Sequence, residues 1–148
     1  MSRELPGAVL FACSQNAIRS PIAAALMRHL YGSKVRVQSV GLRAGDGDPF
    51  AAAVMDEIGI DMSTHRPQDF EAIGDETFDL VVSLSPEAHH RALEFTRTMA
   101  VDAEYWPTQD PSAVEGSREQ ILDAYREVRD GLMKRIRGRF GSLGAPGV

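Results

Sequence analysis

Val9-Leu-Phe-Ala-Cys13-Ser-Gln-Asn16-Ala-Ile-Arg19-Ser20-Pro21-Ile-Ala-Ala-Ala-Leu-Met27 is the stretch around which this chain is organised. The apolar run from Ala8 to Ala12 reads as a strand buried on both faces. Ser20-Pro21 offers an N-cap followed by proline at the first helical position, so the pattern predicts a helix from Pro21 to Tyr31, ended by Gly32. Cys13 falls in the loop between strand and helix, and Arg19 closes that loop. A loop in this position aims backbone N–H groups and the positive end of a helix dipole at whatever lies in its hollow, which suits a tetrahedral oxyanion.

The same field favours the ionised form of the Cys13 thiol, and a thiolate is a competent nucleophile. Arg19 brings a planar, permanently charged fork that can hold two phosphate oxygens at once. Ser14, Gln15, Asn16, Ala17 and Ile18 complete the candidate phosphate-binding loop, with Asn16 suited to a tight bend of positive φ and Ser20 within reach of the sulfur. A free cysteine is more often a small buried hydrophobe, and Cys-x5-Arg alone is a weak pattern. The strand before it and the Ser-Pro helix start after it give the spacing its meaning.

Outward from this stretch, strands alternate with helices. Ile22, Ala25, Leu26 and Leu30 stripe the first helix, and Lys34 to Ser39 reads as a second strand leading into the glycine-rich loop Gly41–Asp48. Asp46 and Asp48 are assigned to turn chemistry, with Asp48 as N-cap of a second helix that turns Val54, Met55 and Ile58 inward and stops at Gly59. Met55 and Met62 are expected in the core, and a small helix is expected from Pro67, after a turn that carries His65. Phe78 to Leu84 is a central strand, and Ser85-Pro86 starts a helix to Thr96 on which His89 and His90 are read as solvated. Met99 to Val101 is taken as the fourth strand and residues 104–116 as irregular. Ser117-Arg-Glu-Gln120 is a capping box opening a helix striped by Ile121, Tyr125, Val128, Leu132 and Ile136 and ended by Gly138. The expected architecture is α/β: one domain over residues 1–140, a small doubly wound, four-stranded parallel sheet flanked by helices, followed by a disordered tail over 141–148. Ligands of such sheets sit beyond the carboxyl ends of the strands, where the Cys13 loop lies.

Composition narrows the function. With 148 residues the chain can bury one sizeable core, and 16 basic against 21 acidic residues give a net charge of -5, which argues against a general nucleic-acid binder. One cysteine forms no internal disulfide, and no basic-then-apolar leader or long apolar run is present, so a cytoplasmic, non-membrane protein is expected. No metal or cofactor is expected, because no cluster of ligand residues recurs at a suitable spacing, and a monomer is the simplest assembly.

Thiolate attack on a phosphate ester needs an acid to protonate the leaving oxygen, and Asp110-Pro111, after the last strand, is the candidate. Cys13-x5-Arg19-Ser20-Pro21 after the first strand, with Asp110-Pro111 far downstream, resembles the low-molecular-weight protein tyrosine phosphatase family. The similarity extends through Ser39-Val-Gly41, Gly59-Ile60-Asp61, His65-Arg66 and Phe78-Asp79. The resemblance implies Cys13 as nucleophile, residues 14 to 19 as phosphate binders, Asp110 as acid and then base, and Asn16, Ser39 and His65 as braces of the loop. Gln15 stands where the family often has glycine, Ile18 where many members have a second cysteine, and Ser112 and Ala113 where an aromatic pair often walls the cleft. Leu42, Arg43 and Trp106 are the remaining cleft candidates, Arg43 facing an acidic flank of the substrate and Trp106 replacing the lost wall or packing the base of the acid loop.

The expected reaction is hydrolysis of a phosphorylated protein, on tyrosine by the resemblance, or of a small aryl phosphate, through a cysteinyl phosphate. Two alternatives stand beside it: reduction of arsenate with an external thiol, since Cys13 is alone, and a module that binds phosphorylated ligands without turnover.

Overall fold

In the computed structural model, which describes residues 5–141, all six residues of β1 (Ala8–Cys13) are buried. Side chains alternate across a strand, so Val9, Phe11 and Cys13 enter one hydrophobic core while Ala8, Leu10 and Ala12 enter a second on the opposite face. β2 (Arg36–Gly41) and β3 (Leu80–Ser83) flank β1, and β4 (Asp102–Tyr105) extends the sheet in the order β2-β1-β3-β4, every pair parallel. Parallel neighbours require crossovers, and helices provide them. α1 (Arg19–Tyr31), α2 (Pro49–Asp56) and α4 (Arg118–Phe140) cover the first face with Ile22, Leu26, Val54, Met55, Leu132 and Ile136. α3 (Pro86–Phe95) covers the second with Ala88 and Ala92. The doubly wound, four-stranded parallel sheet is therefore observed, and the turns after β1, β2, β3 and β4 share one edge of it.

Three of the four local start signals act as read. Asp48 Oδ1 accepts from the backbone N–H groups of Phe50 and Ala51, Ser85 Oγ accepts from Ala88, and Ser117 and Gln120 form the reciprocal capping box. Several boundaries differ. β2 begins at Arg36 rather than Lys34 because its register on β1 runs from Ala8↔Arg36 to Cys13↔Gly41. The fourth strand is Asp102–Tyr105, not Met99–Val101, since pairing with β3 starts at Leu80↔Asp102. As an edge strand it is only partly buried, which deprives it of the apolar run that marks a central one. The helical turn expected from Pro67 forms at Phe70–Ile73, because Gln68 and Asp69 are used in pairing with Gly41. α2 ends at Asp56, which leaves Ile58 38% exposed instead of inward, and Ile60 takes the buried place. α4 passes through Gly138 to Phe140, whose ring lies against Tyr31 and Trp106, and Gly141, with φ 85°, ends it. His89 is half-buried rather than solvated, stacked on Tyr105 at 4.8 Å with Nδ1 3.3 Å from Ser83 Oγ, whereas His90 is exposed. Residues 142–148 of the expected tail lie outside the described residues. No helix of the described chain is long and apolar enough to cross a membrane.

Candidate active site

The turn from β1 into α1 is built on Asn16. It is fully buried, its φ of 55° lies in the left-handed region, and asparagine is among the few residues that tolerate that bend. Both polar atoms of its side chain are engaged: Nδ2 donates to Ser39 Oγ (2.8 Å) and to the nearby Ser20 Oγ (2.9 Å), and Oδ1 accepts from the Gln68 N–H (2.9 Å). Its carbonyl lies 2.9 Å from His65 Nε2. Ser39, His65 and Asn16, which the family resemblance implies as braces of the loop, thus meet. Gln68, which also donates from Nε2 to the Ser39 carbonyl at 2.9 Å, joins them without any local signal in the sequence.

Cys13 is 2% exposed, and its Sγ sits 2.9 Å from Ser20 Oγ and 3.4 Å from the Ser20 nitrogen. Ser20 is not the N-cap that its place before Pro21 predicted. The helix begins at Arg19 with Ile18 at the cap, and no side chain bonds there. The Ser20 hydroxyl lies instead among Cys13 Sγ, Asn16 Nδ2 and the Val40 carbonyl, so it turns inward to the loop. Among the described residues, none accepts a hydrogen bond from the backbone N–H groups of residues 14–18. Ser14 Oγ ties the loop to Ser85 Oγ at 3.2 Å.

Across from the sulfur, Arg19 Nη1 donates to the Thr108 carbonyl at 3.0 Å, which binds the guanidinium to the segment after β4. Its Nη2 stands 3.9 Å from Asp110 Oδ2. Asp110 Oδ1 accepts from both the N–H (2.9 Å) and the Oγ (2.7 Å) of Ser112, so the carboxylate is anchored by one oxygen and turns the other toward Arg19. Cys13, Ser14, Gln15, Ala17, Ile18, Arg19, Arg43, Asp110 and Ser112 line one hollow of about 270 Å³. The three residues that the sequence singled out for chemistry share it. A larger cavity, about 510 Å³, lies between the acid loop and α4, lined by Gln109, Val114, Ala124 and Leu132 among others, and contains none of them.

The loop after β2 is fastened to the Cys13 loop through main chain alone: Leu42, Arg43 and Gly45 donate to the carbonyls of Cys13, Ser14 and Gln15 at 3.2, 3.2 and 2.8 Å. The approach is close enough to require glycine at position 41, where a Cβ would stand 2.6 Å from the Asn16 nitrogen. Arg43 reaches the hollow, while Leu42, 37% exposed, is not among its lining residues. Trp106 is not part of the cleft. It is 3% exposed in the core, edge-on to Phe11, with Nε1 donating to Glu104 Oε1 at 3.0 Å. Burying the large ring while satisfying its one donor is the favourable solution, and it places Trp106 at the base of the acid loop. Among the described residues no group of three or more His, Cys, Asp or Glu side chains could hold a metal ion.

A parallel α/β sheet with a lone cysteine at the end of its first strand, rather than in the loop beyond it, and an arginine at the start of the helix that follows defines a cysteine-dependent, phosphatase-like enzyme. The model of the low molecular weight phosphotyrosine protein phosphatase family matches residues 8–145, and the chain belongs to that family. A relative from Synechocystis sp. named glutaredoxin arsenate reductase is 30% identical over 136 residues, 91% of this chain and 97% of its own length. The YwlE arginine phosphatase structure aligns with a TM-score of 0.71 and 25% identity, covering 88% of this chain and 91% of that one. A low molecular weight protein tyrosine phosphatase from T. tengcongensis, 22% identical, shares the fold with a TM-score of 0.73 over 87% of this chain and 94% of its own.

Proposed function

We propose that this enzyme hydrolyses phosphate monoesters in two steps through a phosphocysteine at Cys13, acting in the cytoplasm on a phosphorylated protein or a small aryl phosphate. The observation that carries the reading is the convergence of Cys13 Sγ, Arg19 and Asp110 on one hollow, with Arg19 and Asp110 3.9 Å apart. In the first step Cys13 Sγ attacks phosphorus in line, the bond to the leaving oxygen breaks, and Asp110 Oδ2 delivers the proton that oxygen needs. The Ser20 N–H and hydroxyl face the sulfur and are placed to hydrogen-bond it as it attacks. The N–H groups of residues 14–18, unclaimed by the described protein, and the Arg19 guanidinium stabilise the charge that spreads over the transferring oxygens. In the second step water attacks the phosphocysteine, Asp110 takes its proton, and phosphate leaves with the thiolate restored.

Burst kinetics with an aryl phosphate test this. Cys13→Ser is expected to show no turnover, and Asp110→Asn a loss of about a hundredfold with poor leaving groups and less as they improve. Equal sensitivity to the leaving group in wild type and Asp110→Asn would remove Asp110 from the reaction.

The name of the Synechocystis relative supports a second reading. Cys13 would attack arsenate and displace one oxygen as water, a first external thiol would take the cysteine into a mixed disulfide and release arsenite, and a second thiol would free Cys13 as the two external thiols leave joined in a disulfide. The chain's one cysteine requires both thiols to come from outside. Oxidation of added thiol that depends on arsenate, with negligible phosphate release from esters, would replace the hydrolytic reading. Tight binding of a phosphopeptide without turnover in either assay would favour a binding module.

A further inference from the structure

The hollow holds one more cation than phosphate chemistry uses. Arg19 is engaged by the Thr108 carbonyl and by Asp110, whereas Arg43, lining the same hollow, has no carboxylate or carbonyl partner for its guanidinium among the described residues. Its main chain is fixed: Arg43 N–H donates to the Ser14 carbonyl, and its neighbours Leu42 and Gly45 donate to Cys13 and Gln15 on either side. A Cβ at position 45 would stand 2.6 Å from Gln15 Oε1, so the Gln15 side chain lies directly on this loop. The Arg43 side chain is therefore an exposed charged arm on a main chain hydrogen-bonded to the phosphate seat. The residues around it complete the picture, since the lining of the hollow includes no aromatic side chain and its outer part is Gln15, Arg43, Asp110 and Ser112. No aromatic face is there to wall a ring, and an exposed guanidinium recognises a carboxylate by a forked pair of hydrogen bonds.

Building on the phosphatase reading, we propose that Arg43 determines specificity at this site, selecting phosphate esters whose leaving group carries a carboxylate. The phosphate binds to the Cys13 loop and Arg19, and the carboxylate of the departing portion pairs with Arg43 at the mouth. The pair is solvent-exposed, so its contribution is a modest preference that salt weakens.

Equilibrium binding to Cys13→Ser, which holds esters without consuming them, tests the proposal with para-carboxyphenyl phosphate and its uncharged isostere para-carbamoylphenyl phosphate. At low salt the carboxylate ester is expected to bind roughly fivefold more tightly. The ratio should fall to about one in Cys13→Ser/Arg43→Gln, invert in Cys13→Ser/Arg43→Glu and shrink as salt is raised, whatever loss of affinity the two esters share. The same ratio should appear in kcat/KM of the wild type. A ratio of one in Cys13→Ser, or one that survives Arg43→Gln, overturns the proposal and leaves the phosphatase reading standing. Failure of both esters to bind overturns the two together.

Discussion

Replacing Asn16 tests the claim that this residue is the keystone of the Cys13 loop. Asn16→Ala removes three side-chain hydrogen bonds, to Ser20, Ser39 and Gln68, in a site where Asn16, Ser20 and Ser39 are all buried. At about 1 kcal/mol each, with somewhat more where a buried partner is left unpaired, the loss is about 3–4 kcal/mol. Alanine must also hold a φ of 55°, which adds about 1 kcal/mol or more. Glycine escapes that second cost but not the first. Urea denaturation should therefore place Asn16→Ala about 4–5 kcal/mol below wild type and Asn16→Gly about 1 kcal/mol above Asn16→Ala, the reverse of the usual order of the two residues. Phosphate turnover should fall in both, because the loop that carries Cys13 loses the braces from Ser39 of β2 and from Gln68. A loss under about 1 kcal/mol in Asn16→Ala, or a glycine variant no more stable than the alanine one, would refute the reasoning.

Three further outcomes follow from the packing and charge around the site. Tyr125, buried and donating to Asp48 Oδ2 at 2.8 Å, is held above the usual tyrosine range by burial first, then by that hydrogen bond and the neighbouring carboxylates. Its raised value makes its contribution complete below about pH 10 and lost as pH climbs beyond, so urea midpoints should fall more steeply with alkali in wild type than in Tyr125→Phe. Glu57 is pulled down to about 2 by hydrogen bonds from Arg126 and Arg129. Its stabilisation is present above the ordinary carboxylate range and lost as pH falls toward 2, so Glu57→Gln should be less stable than wild type at neutral pH and converge with it in acid, as thermal melts across pH will show. Ile136 is fully buried in the core between α4 and the sheet, and Ile136→Ala should cost about 2–5 kcal/mol in urea denaturation with an unchanged m-value.

The sequence by itself determined whatever is settled within a few residues. The apolar run of β1, the Asp48-Pro49 and Ser85-Pro86 helix starts and the Ser117–Gln120 box are contacts of a residue with neighbours up to three places away, and each formed as its letters indicate. Cys13 and Arg19 were legible for the same reason, since one strand end and one helix start bring them to a single turn. The tertiary structure alone decided the rest. The braces of Asn16 come from positions 23, 49 and 52 residues distant, and the carbonyl that seats Arg19 comes from 89 residues away. Ser20 turned from cap to loop brace because the thiol and Val40 lie against it only once β1 and β2 pair. Trp106 went inward and α4 ran past Gly138 because the space between Phe11 and Phe140 must be filled by rings. Backbone propensity and capping act over one turn of chain, whereas register and burial are set by strands and helices far apart in sequence, and those long-range contacts chose among the local options.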